Sequence, residues 1–204
     1  MFLINGNTVI FLGIIIYLSV RGIVIFKKRR SQINVYWFKE MLNFLFAIYI
    51  CMVISVTLFP LPIGFDYQNE NLFRSVNLVP LVTIIENISL IGTAYDGDTL
   101  FMIALILINV GGNILLLMPL GFLAPILWRE FRHFKKVILL SLVVSITIEL
   151  LQLLESSFGR GGRVTDIDDV ICNVLGAIIG YLIYVLIMKI ADKFKIRIVS
   201  NLDT

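Results

Sequence analysis

Long apolar stretches, a scarcity of charge and a regular alternation of basic clusters predict an all-α fold. The expected form is a polytopic membrane protein, a five-transmembrane-helix bundle with an extracytoplasmic amphipathic or re-entrant segment. Of 204 residues, 59% are hydrophobic and only 15% charged, with a mean hydropathy of +0.96. Soluble domains charge about a quarter of their residues. The polar segments between the apolar runs are too short to build cores of their own, so residues 1–204 read as a single integral membrane domain.

The expected spans are residues 8–26, 41–61, 99–127, 137–154 and 170–188, each near the length of about twenty residues that crosses the hydrocarbon. Lys27, Lys28, Arg29, Arg30 and Lys39 follow the first span, Arg129, Arg132, Lys135 and Lys136 the third, and Lys189, Lys193, Lys195 and Arg197 the fifth. The opposite side carries only Arg74, Arg160 and Arg163. Basic residues in short loops stay cytoplasmic, so the N-terminus is expected outside and the C-terminus inside. The net charge of +3 belongs to the inner leaflet, where anionic lipid attracts it, and implies no nucleic-acid partner. No basic n-region precedes the first apolar stretch and no small-residue cleavage pattern follows it, so an uncleaved anchor is expected.

Cys51 and Cys172 fall inside spans and read as small buried apolar residues. The only histidine, His133, sits among cytoplasmic basic residues, which argues against a zinc site or a histidine triad. No metal and no cofactor are expected.

Between the second and third spans, Leu78, Leu81, Val82, Ile85 and Ile88 form a helical stripe opposite Glu86 and Asn87. That suits an amphipathic helix on the outer interface or folded back among the spans, with Pro80 in its first turn. The third span carries Asn109 and Asn113 on one face. It also holds Pro119 and Pro125, which cannot donate to the carbonyls of Leu115 and Gly121, so a kink or break is expected. Gly111, Gly112 and Gly121 would admit another backbone.

Polar stripes run along the last two spans. Ser141, Ser145, Glu149 and Gln152 share one face of the fourth, and Asp169, Asn173, Gly176, Gly180 and Tyr184 one face of the fifth. Ionisable and amide groups in an apolar helix are costly and therefore face protein or a wet cavity. Ser141, Ser145, Gly176 and Gly180 read as packing positions. In the connecting loop, Thr165 and Asp168 fit a capping box for the fifth helix, which accounts for those two. Asp166, Asp169 and Asn173, spaced i, i+3, i+7, need another reason. Arg160-Gly161-Gly162-Arg163 offers guanidinium groups and free backbone amides to an anion, although nearby carboxylates compete for the same arginines.

NLVPL from Asn77, NILLLMPLG from Asn113, ELLQ from Glu149 and RVTDIDDVICNVLGAIIG from Arg163 together resemble the VanZ-like family of membrane proteins, over residues 77–184. Carried over by position, the resemblance points to Asn77, Pro80, Asn113, Pro119, Gly121, Glu149, Gln152, Arg163, Asp166, Asp169, Asn173 and Gly176. It implies a bacterial cell membrane and an association with resistance to teicoplanin-type glycopeptide and lipoglycopeptide antibiotics, and it supplies no reaction.

Two classes of function remain open. In one, Glu149, Asp166, Asp169 and Arg163 form a catalytic set, a partly desolvated carboxylate cluster providing general acid and base beside an anion-binding arginine. Asn77, Asn113, Gln152 and Asn173 would then orient an outer-leaflet, lipid-linked substrate. In the other, the same residues bind a lipid-linked cell-envelope ligand, a lipoglycopeptide or a partner helix without chemistry, or form a structural network. Interhelical hydrogen bonds in membranes average about 0.6 kcal/mol, a weak return that favours a ligand-facing role. Carboxylates would permit Mg²⁺ or Ca²⁺, but no spacing requires either. Membrane lipids are expected partners, and the sequence leaves the oligomeric state open.

Overall fold

The computed structural model describes residues 2–63, 76–157 and 165–194. Six α-helices occupy most of them: α1 (Gly6–Arg30), α2 (Trp37–Leu58), α3 (Val82–Ser89), α4 (Thr99–Leu127), α5 (Phe134–Ser157) and α6 (Ile167–Lys193). All but α3 are long and apolar enough to cross a membrane. The protein is an all-α, multi-pass membrane protein, and α4 keeps its predicted bounds. Helix α2 starts earlier than expected, at Trp37, and it ends at Leu58 because Phe59 is extended ahead of Pro60, the conformation that a residue before proline prefers. Helix α1 runs on through Lys27–Arg30, whose charges suit a helix C-terminus.

The chain separates into two compact units. In the first, α1 packs on α2, and β1 (Phe2–Ile4) pairs antiparallel with β2 (Leu61–Ile63). A Cβ at Gly13 would meet the Cys51 sulfur, so the small residue sets how closely the helices approach. A polar contact that the sequence reading passed over joins them: Arg21 pairs with buried Glu40, Nη2 donating to Oε1 at 2.8 Å, and Lys28 Nζ lies 3.6 Å from the same oxygen. Tyr17 packs against Phe44 beside this pair, ring centroids 5.9 Å apart.

In the second unit α6 is central, packed against α4 and α5. Contacts of α6 with α4 advance together along both chains, Asp169 meeting Asn113 and Gly180 meeting Met118, so these helices run parallel. Those with α5 run oppositely, Asp166 meeting Glu149 and Asn173 meeting Ser145. The α4–α6 seam is built on glycine. A Cβ on Gly121 would strike the Ala177 carbonyl, on Gly176 the Ile114 carbonyl, and on Gly180 the Met118 carbonyl. Gly111 and Gly112, expected to serve the same purpose, face nothing within 4 Å.

Of the kink or break expected at the prolines, a break is absent: α4 continues through Pro119 and Pro125. Proline keeps a helical φ while removing one donor, and a membrane helix held by neighbours tolerates that loss. Helix α3 is also shorter than the stripe suggested. Leu81 takes a left-handed φ of 67° at its N-cap, which leaves Pro80 in the preceding turn rather than the first helical one. Leu78, Leu81, Ile85 and Ile88 are exposed while Val82, Thr83 and Ile84 are half-buried, the pattern of an interfacial helix.

Candidate functional site

The site is assembled where α5 ends and α6 begins, because a short parallel ladder fixes the backbone there. Strand β3 (Val76–Asn77) pairs with β4 (Thr165–Asp166), placing Val76 opposite Thr165 and Asn77 opposite Asp166. Burying Glu149 beside that ladder gives its carboxylate a backbone donor: Asp166 N–H donates to Glu149 Oε2 at 3.1 Å. Asp166 is itself the N-cap of α6, its Oδ1 accepting from Asp168 N at 3.0 Å. This corrects the expected capping box. Asp166 caps the helix, while the Thr165 hydroxyl points back to the Glu149 carbonyl at 3.5 Å.

Asp168 is freed for a different role. It is 3% exposed, and its carboxylate accepts from Leu81 N–H at 2.5 Å and Ile84 N–H at 3.4 Å. Those amides belong to the start of α3, where unsatisfied donors and the helix dipole favour an anion. Asn77 completes the attachment: Nδ2 donates to Thr83 Oγ1 at 2.7 Å and to Asp166 Oδ1 at 3.1 Å, and Oδ1 accepts from Val79 N–H at 3.1 Å. The Asn77 segment and α3 are thus tied to the acidic start of α6.

Deeper along the helices the polar column continues. Asn113 on α4 donates to Asp169 Oδ1 at 2.5 Å. One turn below, Asn173, 1% exposed, donates through Nδ2 to Ser145 Oγ at 2.9 Å. Ser145, read from sequence as packing only, is therefore part of the column; its place one turn before Glu149 was the available signal. Ser141, fully buried, donates to the Ile138 carbonyl at 2.9 Å and keeps its packing role.

The structure thus brings together Asn77, Asn113, Glu149, Asp166, Asp169 and Asn173 from the sequence-predicted set. Gln152 is half-buried on α5 within a turn of Glu149, and Arg163 lies outside the described residues. Asn109, expected to share a face with Asn113, is exposed. Thr83, only six residues from its partner Asn77, was missed, as was the anchoring role of Asp168, which depends on α3 meeting a segment more than eighty residues away.

Glu149 accepts from the Asp166 amide three residues before Asp169, so the two carboxylates belong to one cluster, yet among the described residues no basic side chain pairs with either. No three of the described His, Cys, Asp and Glu side chains converge as metal ligands. The Asn173 carbonyl oxygen is buried without a hydrogen-bond partner. The arrangement is rich in acceptors and is equipped to hold a donor or exchange a proton.

The residues of this column lie inside a stretch, 46–188, that matches the VanZ/LLP1 family model. The chain belongs to the VanZ/LLP1 family. The match covers most of the chain and begins within α2, upstream of the Asn77 segment that first suggested the resemblance. No curated protein and no solved structure matches it. VanZ proteins are linked to teicoplanin resistance, and the bonded column of this VanZ chain spans the matched portions of α4, α5 and α6.

Proposed function

We propose that this VanZ-family protein acts at the outer face of the bacterial cell membrane, holding a lipid-linked or cell-envelope ligand in a polar pocket lined by Glu149, Asp166, Asp169, Asn113 and Asn173. Its contribution is to glycopeptide or lipoglycopeptide tolerance. The observation that carries the reading is the pair of carboxylates, Glu149 on the Asp166 amide and Asp169 on the Asn113 amide, gathered where α5 meets α6 without a described cationic partner. Burying a carboxylate costs several kcal/mol unless it is paired, and Glu149, which is buried, has no cationic partner among the described residues. The basic clusters after α1, α4 and α6 support an orientation with the N-terminus outside, the C-terminus in the cytoplasm and the site outward.

Comparative mass spectrometry of lipids and cell-wall precursors tests this, using cells expressing wild-type protein or Glu149→Gln. A ligand enriched on wild-type protein and lost from the variant supports binding. Identical profiles for wild-type, variant and empty cells would remove the reading. A second reading, acid-base catalysis by Glu149 and Asp169, is favoured by their mutual proximity. It predicts a chemically altered lipid-linked product in the same experiment, where binding alone predicts an unchanged one.

A further inference from the structure

We propose that the ligand group recognised in this column is a primary ammonium, the charged end of an amine-bearing head group, rather than a phosphate. The inference deepens the pocket reading and rests on it.

Among the described residues every amide group of the column already donates a hydrogen bond. Asp166 N–H is on Glu149, Asp168 N–H and Asn77 Nδ2 are on Asp166, Asn113 Nδ2 is on Asp169, and Asn173 Nδ2 is on Ser145. Beyond the second N–H of the Asn113 and Asn173 amides, what remains is a set of acceptors, two of them on carboxylates. Glu149 accepts one described hydrogen bond, at Oε2, and Asp169 one, at Oδ1, so each keeps a carboxylate oxygen in reserve. Asn173 Oδ1 is the independent sign, buried with its residue 1% exposed and bonded to nothing. It lies one turn below Asp169 on the same face of α6, and its amide reaches across to Ser145, one turn below Glu149. The amide that carries this oxygen therefore lies at the contact of α5 with α6, one turn along from the two carboxylates.

A buried acceptor without a donor costs about 1–3 kcal/mol, and more when charged. A phosphate adds acceptors and negative charge, and so makes this worse. A proton satisfies one oxygen and leaves the others. An alkylammonium carries three N–H donors, one positive charge and no acceptor, which matches Glu149, Asp169 and Asn173 group for group. Asp169 and Asn113 are half-buried while Glu149 and Asn173 are buried, so the amine would enter past Asp169.

Native mass spectrometry on the full-length protein in detergent tests the inference, with phosphatidylethanolamine, phosphatidylcholine or phosphatidylglycerol of identical acyl chains. Phosphatidylcholine retains phosphate and positive charge but has no N–H donor. Retention of phosphatidylethanolamine about tenfold above phosphatidylcholine, falling to the phosphatidylcholine level in Glu149→Gln and Asp169→Asn, supports a lipid amine. If no lipid is selected but soluble glucosamine raises the melting temperature of wild-type protein and of neither variant, the amine comes from a non-lipid source and the inference stands. Equal retention of the three lipids, weakened by both variants, overturns the amine while leaving the pocket. Selectivity that both variants keep, or no binding of lipid or amine to folded wild-type protein, overturns it as well, the last removing the pocket reading too. The near-isosteric Asp169→Asn, at the less buried position, guards against a variant that merely fails to fold.

Discussion

Replacing Gly176 by alanine adds one methyl group to the α4–α6 seam. Its Cβ would overlap the Ile114 carbonyl oxygen and come within 2.8 Å of the carbonyl carbon, where apolar atoms prefer about 3.5–4.0 Å. The obstacle is backbone, which a rotamer change cannot relieve. Overpacking of this kind costs about 1–3 kcal/mol, and the upper half of that range applies because two helices must separate. Against it stands the gain of about 0.8–1 kcal/mol from replacing a helical glycine by alanine. The net expectation is a loss of about 1–2 kcal/mol. Gly112→Ala is the internal control: nothing lies within 4 Å of its Cβ, so the propensity gain stands alone. Thermal unfolding in detergent, followed by tryptophan fluorescence, should show Gly176→Ala melting below wild type by about 2–4 °C per kcal/mol and Gly112→Ala at or above it. Equal melting temperatures for the two variants would refute the glycine seam.

Asp168→Ala should release the start of α3 from α6. Hydrogen bonds to a charged acceptor contribute about 1.5–3 kcal/mol, so amide exchange across Val82–Ser89 should accelerate roughly ten- to hundredfold while α4 exchange holds; unchanged α3 exchange would count against the anchor. Orientation is checked by single cysteines placed beside Arg74 and Arg163 in a chain lacking Cys51 and Cys172. Both should react with an impermeant reagent added outside, and labelling only after the cells are opened would reverse the topology.

Much of the second unit was legible because its determinants are local or periodic. Hydrophobic length fixed the five spans, and helical spacing placed Glu149, Asp169 and Asn173 on faces that do meet. Loop brevity between α5 and α6 led to Glu149 and Asp166 as neighbours, which the Asp166 N–H contact bears out. What failed was choice among residues of equal local suitability. Thr165 and Asp166 both favour an N-cap; Asp166 takes it, while the Thr165 hydroxyl is turned to the Glu149 carbonyl on α5, a contact that local sequence does not show. Gly111, Gly112 and Gly121 look alike in sequence, and only Gly121 faces α6. Local sterics at proline left a kink and a break both open, and α4 runs unbroken through Pro119 and Pro125. The Arg21–Glu40 pair escaped notice because Arg21 was absorbed into an apolar span and Glu40 into its basic flank. A lone arginine within such a span was the signal to seek an acid nearby.

Glu149 and Asp169, on the reading proposed above, serve a ligand rather than hold the helices together. That reading is tested most directly by antibiotic susceptibility. A sensitive host expressing wild-type protein, Glu149→Gln or Asp169→Asn is challenged with a teicoplanin-type lipoglycopeptide, membrane levels being measured in parallel. The account predicts that both variants reach wild-type abundance and lose protection. Full protection by both variants, or their disappearance from the membrane, would contradict it.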